Sequence, residues 1–189
     1  MKNKITSASI SIAIAIVTVT TIYLSAVGAQ SRSQVSARRD VDNTEGFDPA
    51  ASYRLTTEWQ GKVKSLDVRN DNYQLVLVDV GNYSGQLWKI SPVGNGYYRF
   101  TNQWRGNQSL DIDNNGHNDN RVVLADTGYY SGQMWSITPA GHGTYRLTTR
   151  WQGDAKSLDL IDAGNNTVEP AMATTGNYSG QLWRITKVQ

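Results

Sequence analysis

One eight-residue passage occurs three times in this chain, as Gly81-Asn82-Tyr83-Ser84-Gly85-Gln86-Leu87-Trp88, Gly128-Tyr129-Tyr130-Ser131-Gly132-Gln133-Met134-Trp135 and Gly176-Asn177-Tyr178-Ser179-Gly180-Gln181-Leu182-Trp183. Each copy closes a unit that carries three further landmarks in the same order. Tyr53-Arg54-Leu55, Tyr98-Arg99-Phe100 and Tyr145-Arg146-Leu147 open the units. Trp59, Trp104 and Trp151 follow six residues after each opening Tyr, and Ser65-Leu66-Asp67, Ser109-Leu110-Asp111 and Ser157-Leu158-Asp159 come next. The repeats run over 53–97, 98–144 and 145–189. A unit of this size cannot bury its apolar face alone, so three must close around a common axis.

Within a unit the apolar residues alternate with polar ones, as at Tyr53 and Leu55, Leu66 and Val68, and Trp88 and Ile90. This is the period of half-buried strands. Gly- and Asn-rich breaks separate the runs, and no helical stripe is present. The expectation is an all-β domain of four short strands per unit and twelve in all.

Composition narrows the chemistry. The 189 residues include no Cys, which removes disulfides, thiolate zinc sites and cysteine nucleophiles. Six Trp and ten Tyr stand against two Phe. Aromatics with a polar tip suit half-exposed positions where a ring packs and its tip still finds a partner. Apart from Lys2 and Lys4 the chain carries equal numbers of basic and acidic residues. That balance gives no electrostatic reason to expect nucleic acid as a partner.

Residues 1–29 read as an export signal. Lys2 and Lys4 form a basic start, an uncharged run follows, and Val27-Gly28-Ala29 supplies small residues for cleavage. The uncharged stretch is also long enough to span a bilayer as an uncleaved anchor, the one case in which a membrane would be a partner. Both readings place the rest of the chain outside the cytoplasm, secreted or at the cell surface. Residues 30–52 have mixed charge and no periodicity, and are expected to be a flexible spacer.

With its three Gln-x-Trp strands and three Leu-Asp pairs, the region from about Ser52 to Val188 resembles the ricin B-type lectin family of β-trefoils. The resemblance implies a threefold β-trefoil whose Gln-x-Trp Trp residues fill the core. It also implies a sugar site in which the Asp of each Leu-Asp pair accepts ligand hydroxyls, steadied by the motif Gln. By position these are Asp67 with Gln86, Asp111 with Gln133, and Asp159 with Gln181. A carboxylate suits such a role because it can accept two hydroxyl hydrogens at once. The competing reading makes the motif a folding element only, whose half-buried Gln takes backbone or the nearby Asp as a partner.

The chain departs from the family pattern in two places. Ricin-type sites often carry Asn or Asp before the motif Gln, where this chain has Gly85, Gly132 and Gly180. They also carry a stacking aromatic at the end of the third strand, but residues 75–78, 122–125 and 168–171 contain none. The substitutes are Tyr83, Tyr130 and Tyr178, with Asn82 or Asn177 beside them; alternatively these rings cap the barrel. Trp59, Trp104 and Trp151, in the turn between the first two strands, are expected to pack against the base of the barrel. The Asp-to-loop interval is 14 residues in the first unit and 17 in the others, so the second and third units are the expected working sites.

Asp111-Ile112-Asp113-Asn114-Asn115-Gly116 resembles the start of a calcium loop, but Val122 stands where the bidentate Glu belongs, and no metal or other cofactor is expected. His117 and His142 have no counterparts in the other units, and no catalytic constellation stands out. The sequence therefore points to a non-catalytic module for a glycan or polysaccharide. Its alternative is a protein-binding trefoil, an inhibitor or adhesion domain, with no sugar site.

Overall fold

The computed structural model describes residues 46–117, 119–164 and 167–188. They belong to the second of two compact units, Asn43–Gln189. The expected export segment and the spacer up to residue 45 lie outside the described residues.

Twelve strands follow one another: β1 (Ser52–Thr57), β2 (Lys64–Val68), β3 (Leu75–Asp79), β4 (Trp88–Gly94), β5 (Tyr97–Asn102), β6 (Gln108–Ile112), β7 (Val122–Asp126), β8 (Trp135–Gly141), β9 (Thr144–Thr149), β10 (Lys156–Gly164), β11 (Thr167–Thr174) and β12 (Trp183–Val188). A single 3-10 turn, Ser-Gly-Gln, precedes the last strand of each unit. The order β4-β1-β12-β9-β8-β5, with β4 also paired to β5, closes a six-stranded barrel. The hairpins β2–β3, β6–β7 and β10–β11 supply the other six strands. This is a β-trefoil, as the repeat requires.

The barrel's long pairings all cross from one unit to another: β4 with β5, β8 with β9, and β12 with β1. Within a unit the first and last strands share one bridge, Tyr53 to Trp88, Tyr98 to Trp135 and Tyr145 to Trp183. An isolated unit would leave most of these backbone groups without partners, which is why the fold is cooperative across the repeats.

The core contains Trp88, Trp135 and Trp183, all without solvent exposure, packed with Leu55, Phe100 and Leu147 and with Leu66, Leu110 and Leu158. Each indole N–H donates to the carbonyl of the Leu in the Leu-Asp pair, at 3.4, 2.9 and 2.8 Å for Leu66, Leu110 and Leu158. The core Trp thus fixes the backbone immediately before each candidate site Asp.

The last residues of the expected spacer are part of the domain. Phe47 meets Tyr53, Tyr98 and Tyr145 edge-on, with ring centroids 5.5, 5.5 and 6.1 Å away. One side chain therefore touches the opening Tyr of every unit. Asp48 accepts from Lys187 Nζ at 3.0 Å, and its N–H donates to the Tyr53 hydroxyl at 2.8 Å. The mixed-charge spacer hides this contact from sequence reading because a single aromatic has no periodicity to betray it.

Phe47→Ala is expected to lower unfolding free energy by about 2 kcal/mol, below the range for a fully buried Phe because this ring is only half-buried. Trp135→Phe should cost about 1–3 kcal/mol, since the Leu110 carbonyl is left without its donor. Chemical denaturation of the two variants measures both.

Candidate functional site

Asp67, Asp111 and Asp159 lie at the same place in the hairpins β2–β3, β6–β7 and β10–β11. In each, Oδ1 accepts from the N–H of the next residue (Val68, Ile112, Leu160) at 2.7 Å. The other oxygen accepts from the motif Gln Nε2, at 3.1 Å from Gln86, 2.9 Å from Gln133 and 3.0 Å from Gln181. Each Gln also donates to a carbonyl at the end of the neighbouring strand (Asp79, Asp126, Thr174) at 2.9 Å. Its Oε1 accepts from the loop N–H of Gly81, Gly128 or Gly176 at 2.9–3.0 Å. These glutamines have no exposure. They orient the carboxylate from inside the fold and are out of reach of a ligand.

Two glycines shape each site. A Cβ on Gly85, Gly132 or Gly180 would stand 2.3 Å from the Asp Oδ1, closer than any real contact. The Gly before the motif Gln is therefore the space that the carboxylate occupies, and Asn or Asp could not fit there without displacing it. A Cβ on Gly81, Gly128 or Gly176 would meet the ring of Tyr83, Tyr130 or Tyr178 at 2.3, 2.1 and 2.3 Å. Each Tyr ring lies over its own loop glycine. The rings are 64, 62 and 63% exposed, so they do not cap the barrel.

The remaining wall comes from the next unit. Trp104 lines one cleft with Asp67, Asn82 and Tyr83, and Trp151 lines another with Asp111, Tyr129 and Tyr130. The cavities measure 460 and 510 Å³. Backbone bonds across the unit boundary hold these Trp turns in place. Gln103 N–H donates to Leu87 O and Arg150 N–H to Met134 O, both at 2.8 Å. Around the closure Glu58 N–H donates to Leu182 O at 2.9 Å and Trp59 N–H to Ser179 O at 3.2 Å.

The expectation that Trp59, Trp104 and Trp151 pack against the barrel base is corrected for Trp59 and Trp104, while Trp151 does pack against the core. Trp59 and Trp104 are 44 and 39% exposed. Trp151 is half-buried against the core and still lines its cleft. They stand beside the Gln-x-Trp strand of the preceding unit because their turn hydrogen-bonds there. Sequence position correctly places each Trp in the turn between the first two strands of its unit, but gives no sign that this turn meets the preceding unit.

The units are unequal in a way that hairpin length does not foretell. The short first hairpin keeps its cleft. In the third unit Asp159 has the same hydrogen bonds but is only 8% exposed, while Asn177 and Tyr178 remain exposed on the loop. The ordering of units by hairpin length thus does not match the order of carboxylate access.

Burial raises the pKa of Asp111 above the ordinary carboxylate value; Gln133 and the Ile112 N–H oppose this, and the neighbouring Asp113 charge adds to it. A carboxylate accepts where an acid must donate, so the protonation state decides what this cleft can hold. Neither His117 nor His142 lines a cleft; His142 occupies the turn between β8 and β9 with φ of 51°.

Residues 84–174 match the family model described as a ricin-type β-trefoil lectin domain-like module. A sequence search of curated proteins gives no match. Among solved structures, the designed threefold-symmetric protein ThreeFoil aligns at 25% identity with a TM-score of 0.63, over 72% of this chain and 99% of its own. SeviL, solved with the asialo-GM1 saccharide, aligns at 18% identity with a TM-score of 0.56, over 74 and 98%. The GlcNAcα1-4Gal-releasing endo-β-galactosidase of Clostridium perfringens aligns at 18% identity with a TM-score of 0.62, over 77% of this chain but only 35% of the enzyme.

Gly132→Ala should cost about 1–3 kcal/mol, the usual penalty for forcing atoms into filled space. Gly141→Ala is a contrasting control: its added Cβ meets nothing within 4 Å, so only its φ of +86° is strained. Thermal unfolding distinguishes them, and the Ile112 amide shift reports displacement of the Asp111 carboxylate in the first variant alone.

Proposed function

We infer that this chain, a ricin-type β-trefoil, is a non-catalytic glycan-binding module that works outside the cytoplasm, secreted or tethered at the surface. The observation that carries the reading is the Asp111 carboxylate, fixed from behind by Gln133 and Ile112 N–H at the floor of a cleft walled by Tyr130 and Trp151. A carboxylate has about four acceptor positions, and two are filled from the protein side, which leaves two for a pair of sugar hydroxyls. The aromatic walls suit the C–H face of a pyranose ring. Asp67 with Tyr83 and Trp104 repeats the arrangement. The saccharide bound by SeviL supports the ligand class, and the basic start and apolar run of residues 1–29 support export.

Single clefts of this open kind bind weakly, and a rigid body with several of them gains by avidity on a polymer or a cell surface. The histidines serve turns and loops away from the clefts, and the Asp residues are held as acceptors, which favours binding over catalysis.

A glycan array probed with the full chain tests this. The wild type should bind a restricted set of glycans, and Tyr130→Ala and Trp151→Ala should each weaken second-cleft binding about tenfold, the loss of one stacking contact and its buried area. If no glycan binds, the module is a protein-binding trefoil instead; if binding survives alanine at Asp67, Asp111 and Asp159 together, these carboxylates are not the glycan site. Acidification supplies a second measurement. Burial holds the Asp111 pKa above that of an ordinary Asp, so second-cleft binding should fail as pH drops at a higher pH than an ordinary Asp would give. Its contribution to stability runs the other way: it is present below the unfolded-state value and lost as pH rises through the folded one. Binding by titration and stability by denaturation should therefore separate on the acid side.

A further inference from the structure

The first two clefts share Asp, Tyr and Trp but differ in the charge at one position. Two residues after the site Asp stand Arg69 and Asp113, where the chain leaves the strand in the first and second units, and Ile161, still within β10, in the third. Arg69 lines the first cleft and Asp113 lines the second. The same place on the rim therefore presents a guanidinium, paired with Asp71, in one and a carboxylate in the other.

The short first hairpin adds to the contrast. Tyr73 takes a left-handed turn conformation (φ 62°) and its N–H donates to Arg69 O, closing the hairpin tightly. The Tyr73 ring comes to 5.8 Å from Trp104, the aromatic wall of the first cleft. Arg105 lies over both rings, 4.4 Å from Tyr73 and 5.7 Å from Trp104. Arg69 donates Nε and Nη2 to Asp71, at 2.9 and 2.6 Å. A guanidinium has five N–H donors, so three are left for another acceptor. In the second cleft Asp113 accepts from Asn115 Nδ2 at 3.1 Å and has a 3.6 Å contact with an exposed Arg121, and its charge is felt at Asp111.

We propose that the residue two positions after the site Asp selects ligands by charge, so that the first cleft takes glycans ending in a carboxylate sugar, a sialic or uronic acid, and the second takes neutral ones. The inference rests on the glycan-binding reading and adds a division of labour within it. Arg69 supplies the planar fork that matches a carboxylate, with Arg105 adding positive potential behind Trp104. Asp113 repels the same group from the second cleft.

The test uses full chains that keep one cleft each: Asp111→Ala with Asp159→Ala retains the first, and Asp67→Ala with Asp159→Ala retains the second. Calorimetric titration compares lactose with 3′-sialyllactose, and cellobiose with cellobiouronic acid. The first-cleft chain should favour the acidic member of each pair by about fivefold, the upper end for a half-exposed ion pair, and the preference should shrink with added salt. Arg69→Ala should erase it and Arg69→Asp should invert it, with unchanged thermal midpoints. The second-cleft chain should favour the neutral members, and Asp113→Arg should reverse that order. Equal acid-to-neutral ratios in the two chains, or a ratio that ignores Arg69, would overturn the charge assignment while leaving glycan binding intact. Failure of the wild-type chain to bind any glycan on an array would overturn the glycan reading and this proposal with it.

Discussion

A primary amide without solvent exposure, repeated in Gln86, Gln133 and Gln181, is the interaction on which each unit depends. Leaving such a group unpaired would cost several times what one hydrogen bond returns. Its partners are therefore imposed on the fold. The Nε2 needs two acceptors and takes the Asp carboxylate and a strand-end carbonyl; the Oε1 needs a donor and takes a loop N–H. Satisfying one side chain thus fixes two strands and the loop between them. The carboxylate oriented in this way is the one that faces the cleft.

Stability and site geometry are consequently the same structure viewed from two sides. The core Trp donates to the Leu carbonyl, the adjacent Asp is held by the Gln, and the Gly before that Gln clears the space for the carboxylate. Nothing in this chain of contacts needs a ligand, which explains how a unit such as the third can keep every bond while its Asp159 is almost closed to solvent. Preservation of the motif reports a folded unit; access to the carboxylate is a separate property, set by what surrounds it.

The walls of the site were less legible. Tyr83, Tyr130 and Tyr178 stood out because no aromatic occupied the third strand and these were the nearest rings to the Gln. Their placement over a loop glycine follows from local chain geometry. The size of Trp59, Trp104 and Trp151 points to the barrel base, since large aromatics seek burial. The missing information was the pairing between units, which sets each Trp turn against its predecessor's Gln-x-Trp strand. Phe47 escaped for a related reason: its three Tyr partners come from three different units, and no local pattern marks it.

The threefold repetition of Tyr-Arg, Leu-Asp and Gly-Gln-x-Trp by itself determined an all-β domain of three closing units, and the family resemblance those motifs carry implied the β-trefoil, its core tryptophans and the Asp–Gln pairs, whose contacts lie within one unit at fixed spacing. Which aromatic faces which carboxylate, which carboxylate is open, and that Arg69 and Asp113 take equivalent places on two rims were decided only in three dimensions. Those properties arise where one unit meets the next, or where hairpins of unequal length meet the same surrounding barrel. A linear sequence records the units in order but not the closure that brings Trp59 of the first beside Ser179 of the last.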